Sequence, residues 1–294
     1  MLELTEARQS FRFDTPTRPI PSLLRGFSAP VVLDRAVSPE ERAFLLAHDT
    51  DPFNKWEAGR ALAKDLMARM ITDGAAPGPD WLDAIARVTF DETLDPAFRA
   101  LTLRLPGEDD MAATLHGAGI TPDPDRIWAE RRRMGDALAR HLGPRLPGLI
   151  AALAEPGPFT PDARAAGRRA LRLAALSLLT RIDDGKTAAA AYRAANNMTE
   201  EVGALTHPAQ AVATADRLTR HPDFDWKNPN RFRSVIGALS ANHAGFHQAS
   251  GAGYGLIGDW LLRLDPVNPQ TAARMSTAFE TWPRYDADRR AQAQ

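Results

Sequence analysis

The chain has 294 residues, and its 36 Lys and Arg against 37 Asp and Glu leave a formal net charge of −1. Hydrophobic residues make up 44% and charged residues 25%, a balance typical of water-soluble globular proteins. The near-zero charge gives no electrostatic reason to expect a nucleic acid or an anionic membrane as partner. The absence of Cys excludes disulfides, thiolate metal sites and a Cys nucleophile, and it favours a cytoplasmic location.

The first residues predict β structure. Apolar and polar residues alternate over 2–13, a period of two that is typical of strands, and a second extended piece over 27–33 follows a Pro-rich loop. A hairpin by itself buries too little apolar surface to be stable. We therefore expect residues 1–33 to be the remnant of a β domain together with a linker.

From residue 34 onward the sequence predicts helices. A capping side chain followed by Pro is a typical helix start, because the cap accepts the first free amides and Pro has no amide hydrogen to leave unpaired. Ala-, Leu- and Arg-rich segments of high helix propensity, such as 161–180, run between such starts. We predict an all-α fold of stacked helical hairpins, a HEAT- or ARM-like α-solenoid, over 34–294, preceded by the short β fragment. The seven predicted starts are Ser38-Pro39, Asp51-Pro52, Asp95-Pro96, Asp123-Pro124, Thr160-Pro161, Asn228-Pro229 and Asn268-Pro269.

Two histidines four residues apart, His243 and His247, would share one helical face, which is the spacing of a pair of zinc ligands. The metalloprotease motif H-E-x-x-H needs a Glu where this chain has Ala244, and no Cys can complete a site. A structural role is the favoured interpretation. An independent hydrolase that uses both histidines is the alternative.

Other polar patterns are interpreted as structural. The glycines over 250–255 are spaced like a phosphate-binding loop, but they lie among predicted helices and favour a tight turn. The acidic residues over 108–110 are predicted to be solvated charges in a connection. The basic excess over 227–290 fits exposed helix faces, or a wall that presents guanidinium groups to peptide carbonyls or carboxylates.

Several short motifs follow one another along the chain. They are F-S-A-P-V at 27–31, D-P-F-N-K-W-E-A at 51–58, L-P at 105–106, A-N-N-M-T at 195–199, N-P-N-R-F-R-S-V-I-G-A-L at 228–239, F-H at 246–247, G-x-G-Y at 251–254, N-P-Q at 268–270 and R-Y-D at 284–286. As an ordered set they resemble the C-terminal domain of bacterial alanyl aminopeptidases, the aminopeptidase N family of zinc gluzincins.

The resemblance implies a domain organisation. Residues 1–33 would be the tail of a small β-sandwich domain with its linker, and residues 34–294 the helical C-terminal domain. The family's catalytic domain, with the H-E-x-x-H and G-x-M-E-N motifs and the zinc ion, lies N-terminal to these parts. Neither motif occurs here, so we expect no catalytic or metal-binding residue and no activity in this chain alone.

In such enzymes the helical domain closes over the active-site chamber and filters substrate access. The resemblance implies that Gln270, Arg233 and Arg274 line that chamber, and that the partners are peptide substrates and the parent's catalytic and β domains. Only 28 residues separate Thr199 from Asn228, fewer than the resemblance implies, and this raises the question of whether a segment near Leu205–Pro208 is missing. The rival hypothesis is a free-standing helical-repeat module that binds a protein partner.

Overall fold

The helices form an array that accounts for most of the chain. The computed structural model describes residues 3, 5–31, 33, 35–155, 159–194, 211–222 and 224–294. Nine helices come before the gap at 195–210: α1 (Pro39–His48), α2 (Pro52–Asp73), α3 (Pro79–Phe90), α4 (Pro96–Thr102), α5 (Glu108–Gly117), α6 (Pro124–Leu142), α7 (Leu146–Ala152), α8 (Ala163–Leu179) and α9 (Lys186–Ala194).

Most of the described helices after the gap have fewer than ten residues. They are α10 (Ala211–Leu218), α11 (Pro229–Phe232), a π-helical turn (Arg233–Gly237), α12 (Ala238–Ala241), α13 (His243–Phe246), α14 (Ala252–Leu264), α15 (Pro269–Ser276), a 3-10 helix (Thr277–Arg284) and α16 (Ala287–Ala293). Because α11, the π turn and α12 are continuous, residues 229–241 form one helical run with a single wide turn. The prediction of an all-α array is confirmed.

The helix starts follow the predicted caps at six of seven positions. At α1, for example, the Ser38 hydroxyl accepts a hydrogen bond from the Glu41 amide at 3.2 Å. The start predicted at Thr160-Pro161 is wrong by two residues, because Asp162 caps α8 instead and its carboxylate accepts the Ala165 amide. Thr160 donates its hydroxyl to that carboxylate at 2.7 Å, so its side chain supports the cap rather than forming it.

The strands predicted over 2–13 and 27–33 do not form in the described residues, whose only regular element before α1 is a 3-10 turn, Arg25–Phe27. A strand needs a neighbour to satisfy its amides and carbonyls, and the described residues offer it none. Several apolar side chains of this segment are left exposed, such as Phe13 at 64% and Phe27 at 70%. The boundary at 33/34 stays a prediction.

The buried apolar residues form two clusters. The larger one is built by α1–α9 and includes Met67, Met111 and Leu138. The smaller one is built by the helices after the gap around Phe232, Phe246 and Ile257. Helices α5 and α6 contact α13, and this contact brings the two clusters together. Of the helices in the described part of the chain, none is long and apolar enough to cross a membrane.

Candidate functional site

A cavity of about 840 Å³ opens where the two halves of the helical array meet. It receives side chains from α5 and α6 on one side and from the 229–241 run, α13, α15 and the following 3-10 helix on the other. Its ionisable lining residues are Glu108, Asp109, Arg131, Arg233, His243, His247 and Arg274. The volume falls in the range of small-ligand sites, and three of these residues are arginines.

Arg233 and Arg274 come from neighbouring elements. Arg233 begins the π turn, and Arg274 lies in the last turn of α15. The two elements touch just beside these residues, because the position of a Cβ on Gly237 would be 3.5 Å from Arg233 Cβ and 3.8 Å from Met275 Cε. Both arginines are exposed, and within the described residues neither guanidinium has a hydrogen bond or an ion pair. The structure thus brings these two predicted residues to one cavity.

Gln270 takes a different position. It lies in the first turn of α15, whose start is fixed by the Asn268 side chain accepting the Thr271 amide at 3.0 Å. Gln270 is exposed, precedes Arg274 by four residues, and is not part of the cavity lining. Residues four apart share a helical face, so Gln270 extends the face of α15 that carries Arg274.

The two histidines are buried on the cavity wall with their rings 4.5 Å apart. His247 Nδ1 lies 2.8 Å from the Tyr254 hydroxyl, and His243 Nε2 lies 2.9 Å from the Tyr285 hydroxyl. Burial lowers the pKa of His247 to about 3, with further contributions from the neighbouring His243 and from the positive charge of Arg289. Burial likewise lowers the pKa of His243 and raises that of Tyr254 to about 12. All these groups are therefore neutral at pH 7.

In the described residues this pair has no third ligand with which it could hold a zinc ion. One ring nitrogen of each histidine already contacts a tyrosine hydroxyl. No group of three or more His, Asp or Glu side chains in the described residues could hold a metal ion. The geometry supports the structural interpretation of His243 and His247, and we derive no metal-dependent step for this chain.

The acidic residues that begin α5 have a larger role than sequence predicted. Glu108 is half-buried and accepts the Ala244 amide at 3.0 Å, so it joins α5 to the first turn of α13. Burial raises the pKa of Glu108, opposed by that hydrogen bond and by the charge of Arg131. The prediction of a solvated connection is wrong for Glu108. This residue begins a helix, is half-buried, and bonds to an amide 136 positions away along the chain. Glu108 follows the L-P motif at 105–106 by two residues, and that motif was the signal in the sequence that could have singled it out.

Asp109 faces the C-terminal part of the chain. Its Oδ1 accepts a hydrogen bond from Arg284 Nη1 at 2.8 Å and lies 3.6 Å from His243 Nε2. Both carboxylates of the cavity therefore already have partners. The predicted A-N-N-M-T motif and the shortened segment near Leu205–Pro208 lie outside the described residues.

The chain matches two protein-family models along most of its length. A family model described as a domain of unknown function (DUF3458_C) with ARM repeats matches residues 39–214 and 206–294. A second model, described as DUF3458 with an Ig-like fold, matches residues 1–36. The chain belongs to this family of ARM-repeat domains.

Curated relatives connect the family to peptidases. The chain is 36% identical to Aminopeptidase N of Caulobacter vibrioides over 96% of its own length and 37% of that protein. It is 30% identical to Aminopeptidase N of Escherichia coli, over 98% of this chain and 38% of that protein. A crystal structure of Legionella pneumophila aminopeptidase A in complex with aspartic acid covers 94% of this chain and 38% of its own, with 26% identity and a TM-score of 0.80. The chain is an aminopeptidase N-like C-terminal helical domain that spans under two-fifths of these relatives.

Proposed function

We propose that this chain serves as the C-terminal domain of a zinc-dependent aminopeptidase that releases N-terminal amino acids from peptides. In that enzyme it caps the active-site chamber and restricts which peptides enter. The observation that carries the proposal is the open cavity with two unpartnered arginines, in a domain whose relatives are named as aminopeptidases.

The exposed apolar side chains before α1 support a docking role. Phe13 and Phe27 are mostly exposed, and Val31 is 59% exposed. Large apolar side chains that are this exposed within one short segment are candidates for contact with another surface. The catalytic and β domains of the parent enzyme are the partners that we propose for this segment.

The chemistry is assigned to the parent's catalytic domain. There the zinc ion would activate a water molecule for attack on the peptide bond, with a glutamate as base. This chain contributes the wall: Arg233 and Arg274 bind polar groups of the substrate, and Gln270 borders the pocket for its first side chain. We propose a cytoplasmic location and neither a nucleic acid nor a membrane partner.

The test uses the complete protein from its source cells. We expect an intact mass that corresponds to several hundred residues more than this chain has. A mass equal to that of this chain would favour the free-standing binding module.

In the complete protein, Gln270→Ala should change the ratio of kcat/KM between substrates with different first side chains by about tenfold. The control is Gln294→Ala, which removes an exposed glutamine directly after α16. It should leave the ratio unchanged. Equal ratios in Gln270→Ala and the unaltered enzyme would remove Gln270 from the pocket.

A further inference from the structure

A second cavity, of about 330 Å³, lies between α2, α3, α4 and the connection into α5. Among the described lining residues, it shares only Gly107 with the first cavity. We call it the tryptophan cavity, because Trp56 and Trp81 line it together with apolar side chains such as Ile85 and Leu101. Its volume is near the lower end of small-ligand sites, and it suits a body of about one aromatic ring with a short side chain.

Several polar side chains of the tryptophan cavity already have partners. Asp110 accepts from Arg60 Nη2 at 2.7 Å and from Lys64 Nζ at 3.0 Å. The Thr102 hydroxyl donates to the Arg99 carbonyl at 2.8 Å. The carboxylate of Asp110 therefore lies between two cations, and it leaves no unbalanced negative charge at this wall.

Two side chains of the lining have no partner within the described residues. Trp81 is 4% exposed, and its indole Nε1 is buried without a hydrogen bond. A buried donor without an acceptor is costly and calls for an explanation. The exposed Arg104 guanidinium has neither an ion pair nor a hydrogen bond in the part of the chain that the structure describes. Indole and guanidinium groups can only donate, so both favour a ligand with acceptor oxygens.

We propose that the tryptophan cavity binds a small carboxylic acid with an aromatic body. One carboxylate oxygen accepts the Trp81 N–H, and the Arg104 guanidinium pairs with the same carboxylate. The aromatic body lies against the tryptophan rings and the side chains of Ile85 and Leu101, where its apolar surface leaves water. The ligand thus supplies the acceptor that the buried indole lacks.

The test measures binding to the 294-residue chain at pH 7 by ligand-observed NMR titration. The probes are phenylacetate, its neutral amide phenylacetamide, and acetate. We expect phenylacetate to bind about tenfold more tightly than phenylacetamide, because the amide keeps an acceptor oxygen but loses the charge that pairs with arginine. Acetate lacks the ring and should bind at least about tenfold more weakly than phenylacetate.

Four variants locate the site. Arg104→Gln should remove most of the preference for the acid over the amide. Arg87→Gln removes the same charge from an exposed position on α3 outside the cavity and should keep the preference. Trp81→Phe should weaken the acid and the amide alike by about fivefold, since each loses the N–H. Its control, Trp128→Phe, removes an indole of α6 outside the cavity and should bind both probes as the unaltered chain does.

Circular dichroism establishes that each variant keeps its helices, and Arg104→Gln decides the inference if Trp81→Phe does not fold. Equal binding of acid and amide, or no binding of either, would overturn the inference. An equal loss of preference in Arg104→Gln and Arg87→Gln would also overturn it, as would unchanged binding in a folded Trp81→Phe.

This inference does not rest on the proposed function. Arg233, Gln270 and Arg274 do not line the tryptophan cavity, and the probes are not peptides. If phenylacetate shows no preference while Gln270→Ala still changes selectivity in the complete protein, only the carboxylate site is wrong. If the preference is present but the complete protein cleaves no peptide, only the aminopeptidase assignment is wrong.

Discussion

His247 illustrates how burial sets the chemistry of a single residue. Its ring is 1% exposed, and it lies among Tyr254, His243 and Tyr285. The Thr281 hydroxyl is 3.5 Å from Nε2. A protonated ring at this position would lack the hydration that water gives it and would be repelled by Arg289. These two effects disfavour the charged form and lower the pKa to about 3.

The pKa shift predicts a loss of stability in acid. The unfolded chain binds a proton on His247 below pH 6.5, whereas the folded chain keeps the ring neutral down to about pH 3. The free energy of unfolding should therefore fall as pH decreases from 6.5 toward 4.5, by at most about 1.4 kcal/mol per pH unit from this group. Urea unfolding at several pH values measures the slope.

The comparison variant is His247→Gln, which cannot titrate. Its slope between pH 6.5 and 4.5 should be smaller, even if its stability at pH 7 is lower. The remaining slope contains His243, whose pKa is also lowered by burial. Identical slopes in the two proteins would show that His247 titrates equally in the folded and unfolded states.

At the scale of the helices, local chemistry decides where each element begins. Asp95 accepts the Ala97 and Phe98 amides at the start of α4, and Asn228 does the same for α11. Each cap accepts amides that are only two or three residues further along the chain, so a local sequence pattern predicts it. A strand pair also needs further strands or a packed layer to bury its apolar face, and in the described residues before α1 the predicted strands do not form.

A second feature at the scale of the helices is the close approach of α14 to α13. Gly251, with φ of +70°, turns the chain into α14, and Gly253 then lies against the backbone of α13. A Cβ on Gly253 would be 2.4 Å from the Phe246 carbonyl oxygen and 2.6 Å from that of Gly245. The helices can approach this closely only because position 253 has no side chain.

Substitutions at two glycines of α14 should have opposite effects. Gly253→Ala should lower the free energy of unfolding by about 1–3 kcal/mol, because the methyl group overlaps backbone that cannot move independently. Gly258→Ala should raise it by about 0.5–1 kcal/mol, since nothing lies within 4 Å and Ala favours helix. Urea unfolding measures both changes. If the two substitutions change the free energy of unfolding equally, the close approach of α14 to α13 is contradicted.

At the scale of the whole molecule, Arg289 links elements far apart in the chain. Its Nε donates to the His247 carbonyl at 2.7 Å, and its Nη atoms bind Asp286 at 2.7 Å and Asp125 at 2.8 Å. Asp125 lies in the first turn of α6 and Arg289 belongs to α16, so one side chain connects both halves of the array. Arg289 is 8% exposed.

We expect Arg289→Ala to lower the free energy of unfolding by about 2–3 kcal/mol. The variant loses charge-assisted hydrogen bonds and leaves the His247 carbonyl without that donor. The exposure of the two carboxylates limits the loss. Denaturant unfolding, followed by both circular dichroism and tryptophan fluorescence, measures the change.

Two further variants separate the causes. Arg290→Ala removes an exposed charge from the next position and should change stability by less than about 0.5 kcal/mol. Arg289→Lys keeps the charge without the planar fork and should recover only part of the loss. A loss in Arg290→Ala equal to that in Arg289→Ala would attribute the effect to net charge.

The sequence by itself determined the helical architecture, six helix starts and the family resemblance, because capping, propensity and motif order act between residues near one another in the chain. It also brought attention to Arg233 and Arg274. It did not indicate that Glu108 or Asp109 would face them.

Only the tertiary structure decided which side chains share the cavity. Glu108 meets Ala244 across 136 positions, Arg284 meets Asp109 across 175, and Arg289 meets Asp125 across 164. Such pairs form when helices distant in the chain pack together, and no local pattern records them. The same packing turned two histidines with metal-ligand spacing into buried, neutral partners of tyrosines.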